Sequence, residues 1–454
     1  MAKSLLIKNG IVVTMDKERS VFKGGVLVEG ERIIKVGDER SIGSEGASEV
    51  IDAKGGIITP GFICSHTHLY GILLRGANLN LPAPTDFTQN LQRIWWPMDQ
   101  AMNHQDAYIS ALTASMELMR SGTTLFADTF SGPNAIEGVL DDIKKGVDEV
   151  GIRGVLAFEA TQRRSHEEGY RGVEEDVRFI KKENGDRIMG MISLHAPFTV
   201  SDELIKYAIE KAGSLKATTT IHTAEGRWDL YHSMERYGKR TFERLHDLGA
   251  LGNRTVVAHA VNINEDELQI IKKTGTNVAH NPLSNMLNAV GVPAVPHMLD
   301  EGINVSLGND GYIFDVFENL RGVFLLHKVN MLDPRKISIM QALEMATINA
   351  AKAYHLEKDL GSLEVGKRAD IVIIKPQLLP TPITVSSVYG HLVNSIDGDD
   401  VSDVVVNGEL LLRDRVPTKV SYEQVNQKVL RMVGDYWARL KGVKEQVDVL
   451  KLGG

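Results

Sequence analysis

Cysteine is nearly absent. Cys64 is the only one in 454 residues, which excludes an intrachain disulfide framework and a cysteine-ligated zinc cluster. Long apolar runs are lacking too, and none approaches the roughly 18 unbroken residues of a membrane span. There is no basic excess: 51 Lys and Arg against 59 Asp and Glu leave a net charge of −8, without the footprint of a nucleic-acid binder. No GxGxxG run follows an early strand, so a dinucleotide role has nothing to rest on. The opening MAKSLLIKNGIVV has too short and interrupted an apolar run for a secretory signal, and a soluble cytoplasmic protein is expected. With 43% hydrophobic and 24% charged residues the balance is globular, which argues against disorder and fibrous repeats. Histidine is plentiful by contrast: the chain has 14, and their placement carries the information.

The first sixty residues read as short strands, Leu5–Thr14, Gly25–Glu29, Arg32–Gly37 and Glu49–Ile51, split by Asn-Gly, Glu-Gly and Gly-Gly turn signals. They suggest a small antiparallel sheet that starts and is not finished. From Ile58 short apolar runs alternate with longer amphipathic stretches, the texture of βα units. The candidate strands are Gly61–Ser65, Thr123–Ala127, Arg153–Phe158, Ile188–Leu194, Thr218–Ile221, Thr255–Ala258, Asn277–Ala279 and Ile303–Leu307. Helix-like segments between them include Gln105–Ser121, Asn134–Val150, Asp202–Ala212, Glu235–Leu248 and Glu265–Lys273. This pattern predicts an α/β chain with a (β/α)8 barrel of the TIM type, an open doubly wound sheet being the second choice. Strand texture returns in Gly361–Pro376 and Val401–Arg413, with a hairpin signal at Asn407-Gly408. The economical organisation is a discontinuous β-sandwich from residues 1–58 and 361–420, a barrel over 59–360 and a helical tail over 421–454.

Polar residues gather at the ends of those strands. His66 and His68 end the first, His195 the fourth, His222 and Glu225 the fifth, His259 the sixth and Asp310 the eighth. In a barrel these ends share one face. Residues two apart on a strand point to the same side, so His66 and His68 can share one cation. Each histidine alone is as well explained by a core hydrogen bond; five such groups buried at strand ends would be costly without a common purpose. Imidazole and carboxylate donors suit zinc first and iron(II) second. Such a set leaves room for water and is catalytic in type.

The segments PGFICSHTHLYG, HTAEG, VAHAV, AHNPLSN, SLGNDG and GSLEVGKRADIVI resemble the amidohydrolase superfamily. Within it they resemble the branch of guanine, cytosine, pterin and thiomethyladenosine/S-adenosylhomocysteine deaminases and triazine hydrolases. DFTQNLQRIWW followed by PMDQ is similar to the SsnA-type aminohydrolases. The resemblance implies one divalent metal on His66, His68, His222 and Asp310, a mononuclear site because His195 stands where binuclear members carry a bridging lysine. It implies hydrolytic release of ammonia from an aminated N-heterocycle, with Glu225 moving the proton of water to a ring nitrogen and Asp310 a second proton to the leaving amine. His259 would orient the water, and His195 would contact the substrate. The alternatives are a triazine-type hydrolase displacing chloride or an alkylamine, and a hydrolase of ring amides or imidazolones. A homo-oligomer is expected, with a small heterocycle as the substrate and neither nucleic acid nor membrane as partner.

The long connection from Tyr70 to Asn103 is expected to shape the pocket, with Trp95 and Trp96 either stacking on a flat ring or packing a helix. Relatives acting on adenosine derivatives carry a Glu near Met98-Asp99 and an Arg near the third-strand end. Asp99 and Glu159 depart from that pattern. Glu159 could accept hydrogen bonds from an N–H-rich ring, and Arg163 and Arg164 could supply the opposite charge. Asn285 or His280 in AHNPLSN is a further candidate contact, and Cys64 reads as a small buried hydrophobe.

Overall fold

The computed structural model describes residues 4–42, 47–77, 83–183 and 185–449, with side chains to residue 443. Residues 78–82 of the long connection and 450–454 of the tail lie outside the described residues.

Two sheets of nine strands organise the chain. In the first, Ser4–Val13, Val21–Glu29 and Arg32–Asp38 form an antiparallel meander. Glu49–Asp52 and Ile57–Pro60 then both pair with Ser4–Val13 in parallel, so the sheet is mixed rather than antiparallel throughout. The reason is the crossover after Asp38, which returns the chain to the same end of the sheet instead of turning back in a hairpin. A bulge between Ile7 and Gly10 reverses the side-chain alternation. Leu5, Ile7 and Val12 therefore face the small core, and Ile11 and Val13 face the barrel. Ile371–Ile374 pairs with Ile57–Pro60, and Val401–Val406, Glu409–Arg413 and Val416–Pro417 complete the sheet, uniting both ends of the chain. The expected Asn407-Gly408 hairpin is present, with φ of 54° and 74°. A Cβ on Gly408 would lie 1.9 Å from Gly30 O, so the sheet curls until its turns touch.

The second sheet is the barrel. Phe62–Thr67, Thr123–Phe130, Arg153–Ala160, Ile192–Leu194, Thr219–Thr223, Thr255–His259, Asn277–His280 and Val305–Leu307 run parallel in that order. The fourth strand is split, with Ile188–Gly190 pairing separately to the third. Several strands run past their expected ends, so His66, His222, His259 and His280 are still within them. A bridge between Thr67 and Asp310 brings the first strand to the end of the eighth.

Polar caps start the outer helices. Asn103, Ser165, Ser201 and Asn264 each accept a backbone N–H from the first turn of His104–Arg120, His166–Lys182, Asp202–Leu215 and Glu265–Thr274. The segment expected as one helix over Glu235–Leu248 is two, Arg227–Tyr237 and Thr241–Asp247, because Gly238 takes φ of 64° and ends the first. The tail helix Tyr422–Val449 packs on the helices Trp96–Ala101 and His104–Arg120, and Trp437 Nε1 donates to Leu73 O at 2.8 Å. Among the described residues no helix is long and apolar enough to cross a membrane.

Arg153, 1% exposed, joins the two sheets. It begins the third barrel strand and meets Asp370, next to Ile371, through Nε at 2.8 Å and Nη2 at 3.1 Å. A further nitrogen donates to Asp186 O at 2.8 Å. Removing one partner of such a pair leaves a buried uncompensated charge. Asp370→Ala is expected to lower stability by about 3–5 kcal/mol. Denaturant titration checks this, and catalytic parameters of the folded fraction, read at the opposite end of the barrel, should not change.

Candidate active site

Two imidazoles at the barrel mouth are aimed by neighbouring backbone carbonyls. His68 Nδ1 donates to Thr129 O at 2.8 Å, and His222 Nδ1 donates to His195 O at 2.8 Å. A carbonyl only accepts, so in the neutral rings both protons are on Nδ1. The two Nε2 atoms then carry lone pairs, yet they face each other at 3.1 Å. Asp310 Oδ1 lies 3.1 Å from His68 Nε2 and 3.6 Å from His66 Nε2. His259 donates Nδ1 to Asn285 Oδ1 at 2.8 Å, which leaves its Nε2 facing Glu225 Oε2 at 3.4 Å.

These groups are nearly sealed from water: His66, His68, His259 and Asp310 are 2%, 6%, 0% and 5% exposed. Within this cluster His66 Nε2, His259 Nε2 and Glu225 Oε1 have no hydrogen-bond partner. Donor atoms of His66, His222, His259 and Asp310 fall within 4.8 Å of one another, and so do those of His68, Glu159 and His222. Lone pairs converging on lone pairs are repulsive, and a cation between them removes the conflict. The donor set therefore fits a divalent ion. Burial brings His66 down to about 4 and His222 well below the usual imidazole range, which favours the neutral, ligating form; at His68 burial is outweighed by Asp310 and Glu159, and the ring goes up to about 10. Burial pushes the Asp310 carboxyl up, but the adjoining imidazoles of His66 and His68 outweigh it and hold the group well below the usual range.

Glu225 follows Ala224, a non-glycine residue at φ of 52°. The turn is held by Asp229, which accepts the Ala224 N–H at 2.5 Å, and by Asn262, which donates to Glu225 O at 2.6 Å. Burial, then the Asp310 charge, raises the Glu225 carboxyl well above its ordinary value.

A small cleft opens above the cluster, lined in part by Tyr70, Trp95, Trp96, Asp99, Glu159 and His195. Both tryptophans lie on its wall, Trp95 anchored by Nε1 donating to Tyr312 OH at 2.8 Å. Asp99 meets Arg163 Nη1 at 2.7 Å and accepts from Tyr70 OH at 3.1 Å. His195 has Nδ1 at 2.7 Å from Thr199 Oγ1 and Nε2 at 3.6 Å from Glu159 Oε1.

Two residues expected at the substrate sit elsewhere. Asn285 is behind His259 and does not line the cleft, because its side chain is spent on that ring. His280 is fully buried, with Nε2 3.1 Å from His327 Nε2. Arg164 is turned outward onto Glu168. Cys64 is buried, and burial pushes its thiol up to about 12. Sequence reasoning missed Tyr70, Asp229 and Asn288, all on the cleft wall. Asp229 had one available signal, a carboxylate four residues after Glu225 at the start of a helix.

A model of the Amidohydrolase family matches residues 57–411. The 5'-deoxyadenosine deaminase of Methanosarcina mazei is 34% identical over 447 residues, 96% of this chain and 99% of that protein. The 5-methylthioadenosine/S-adenosylhomocysteine deaminase of Thermococcus kodakarensis is 35% identical, over 90% of this chain and 94% of that protein. Among solved structures, an adenosine deaminase from Xanthomonas campestris with bound zinc superposes with a TM-score of 0.83 at 22% identity, covering 98% and 99% of the two chains. Fold, motif positions and sequence identity agree: the chain belongs to the amidohydrolase family.

Proposed function

We propose that this chain is a metal-dependent aminohydrolase that converts an aminated N-heterocycle and water into the oxo-heterocycle and ammonia. The observation that carries the reading is the approach of His68 Nε2 and His222 Nε2 to 3.1 Å, beside the buried carboxyls of Asp310 and Glu225. The activities named for the two relatives, deamination of 5'-deoxyadenosine and of 5-methylthioadenosine/S-adenosylhomocysteine, support it.

His66, His68, His222 and Asp310 would hold one ion, zinc first and iron(II) second. When bound, such an ion supplies Lewis acidity that brings water toward ionisation at neutral pH. Glu225, whose raised proton affinity suits a shuttle, takes the proton released as water adds to the ring carbon and delivers it to the adjacent ring nitrogen. Asp310 carries the second proton to the amine, the C–N bond breaks and ammonia leaves. His259, its Nδ1–H fixed by Asn285, keeps an unprotonated Nε2 beside Glu225 and orients the attacking water. His195 contacts the ring edge, and Trp95 and Trp96 offer apolar walls that exclude bulk water.

Glu225→Gln is expected to retain metal, measured by elemental analysis, and to lose turnover by about 100-fold or more in an ammonia-release assay. Full activity in that variant would sink the shuttle assignment. His68→Ala and Asp310→Ala should lose metal, whereas His259→Ala should keep most of it; the reverse order would make His259 the ligand in place of His68. Chelation should lower the thermal midpoint and abolish ammonia release, and zinc should restore both, because an ion bound only by the folded state stabilises it.

A further inference from the structure

Besides the reacting carboxyls of Glu225 and Asp310 and the turn-holding Asp229, the cleft is lined by the buried carboxylates of Asp99 and Glu159, whose surroundings differ. Asp99 is neutralised by Arg163 at 2.7 Å and capped by Tyr70 OH at 3.1 Å. Glu159, 2% exposed, has neither. Among the described residues the carboxylate's only hydrogen bond is a long one, 3.5 Å from Thr129 Oγ1. The three nearest imidazoles stand at 3.6 Å from His195, 3.8 Å from His68 and 3.9 Å from His222. The Nδ1 protons of His68 and His222 are committed to backbone carbonyls. Arg163 is committed to Asp99 and to Ser131 Oγ. A buried carboxylate accepts up to four hydrogen bonds, and leaving that capacity unused is costly. The open side of Glu159 is the cleft, so the missing donors belong to what enters it.

We infer that Glu159 is the specificity-determining residue of the cleft, accepting a ring N–H of the substrate, so that the preferred substrate is an oxo-substituted, N–H-bearing base and not an N-glycosylated adenine ring. The inference rests on the deamination reading for its choice of ligands. Glu159 lies within 4 Å of imidazoles that bound the reaction centre, so the group it touches is part of the ring itself, not a sugar several bonds away. In an adenine nucleoside the ring nitrogens are acceptors or are glycosylated, and its only base donor is the amine that leaves. Such a ring would set lone pairs against the carboxylate. A lactam or imidazole N–H satisfies it. Asp99, which could otherwise read sugar hydroxyls, has both oxygens engaged by protein donors.

The test compares kcat/KM for ammonia release by the zinc-loaded enzyme on guanine, isoguanine and pterin with that on adenosine and 5'-deoxyadenosine. It repeats the series in Glu159→Gln. A lactam base should be preferred by about 100-fold, and Glu159→Gln should remove most of that preference, since the amide can donate to an adenine ring nitrogen. Equilibrium binding of the lactam bases to zinc-loaded Glu225→Gln, read by tryptophan fluorescence, should weaken when Glu159→Gln is added, and that of the adenine nucleosides should not. Methylation of the ring N–H should likewise weaken binding to Glu225→Gln, a readout that stands even if the double variant folds poorly. Adenine nucleosides as the best substrates, with selectivity unmoved by Glu159→Gln, would overturn the inference and leave deamination intact. No ammonia from any compound at full metal occupancy would defeat the deamination reading, while the binding series would still decide whether Glu159 selects for N–H.

Discussion

The site depends on how the barrel closes. The first and eighth strands meet where the chain leaves them: Asn309 N and Asp310 N donate to His66 O at 3.0 and 3.1 Å, and His68 N donates back to Asp310 O at 3.1 Å. Thr67 Oγ1 adds a bond to the same carbonyl at 2.8 Å. The residues that close the barrel are therefore flanked by, or are themselves, the side chains that converge on the candidate ion. Gly308 makes the approach possible, since a Cβ there would lie 2.8 Å from His66 O and 2.2 Å from Asn281 Oδ1. Closure and assembly of the donor set are one structural event, so a mutation that loosens the seam acts on the chemistry without touching a ligand.

The strand ends around the barrel mouth are held under strain. Ala224, His259, Ala260 and Asp310 all take left-handed φ, between 50° and 76°, although none is glycine. Each such residue costs about 1–3 kcal/mol and persists only where its surroundings over-determine it. Here they do. Ala224 is fixed by Asp229 and by bonds from Val261 and Asn262 to its carbonyl, and Ser284 donates to the Asp310 carboxylate. The large apolar core supplies the rigidity behind these contacts, and the curled sheet of both chain ends buries its outer face against it.

What the sequence made legible was the part of the fold that follows from local pattern. Strand positions were readable because fully buried parallel strands are short apolar runs, and the convergence of His66, His68, His222, His259 and Asp310 followed from where those runs end. Pairings set by distant segments were not readable. The parallel docking of Glu49–Asp52 and Ile57–Pro60 on Ser4–Val13 depends on a crossover whose direction leaves no mark in composition. Gly238 was visible as a helix breaker, but the amphipathic pattern continues on both sides of it and masked the break. Asn285 illustrates a deeper limit. Its position beside the strand ends was foreseeable, yet whether its amide turns to the cleft or to His259 is decided by a tertiary hydrogen bond.

The same limit governs specificity, and it explains why membership of a family says less about the ring than about the reaction. The reaction needs an ion, a shuttle and a water, and the residues for these sit at strand ends that the barrel geometry fixes. Recognition of the ring is set by which carboxylate in the cleft is left without a close charged partner, a property of pairs rather than of residues. Asp99 and Glu159 read alike in the chain, as acids near the mouth. Arg163 reaches Asp99 and stacks over Trp96 at 5.4 Å, so one acid becomes part of the wall. The other keeps its unspent acceptors facing the substrate. Moving a single guanidinium between them would exchange their roles without altering the ligand set or the fold, which is how one barrel can retain its chemistry while the heterocycle it accepts changes.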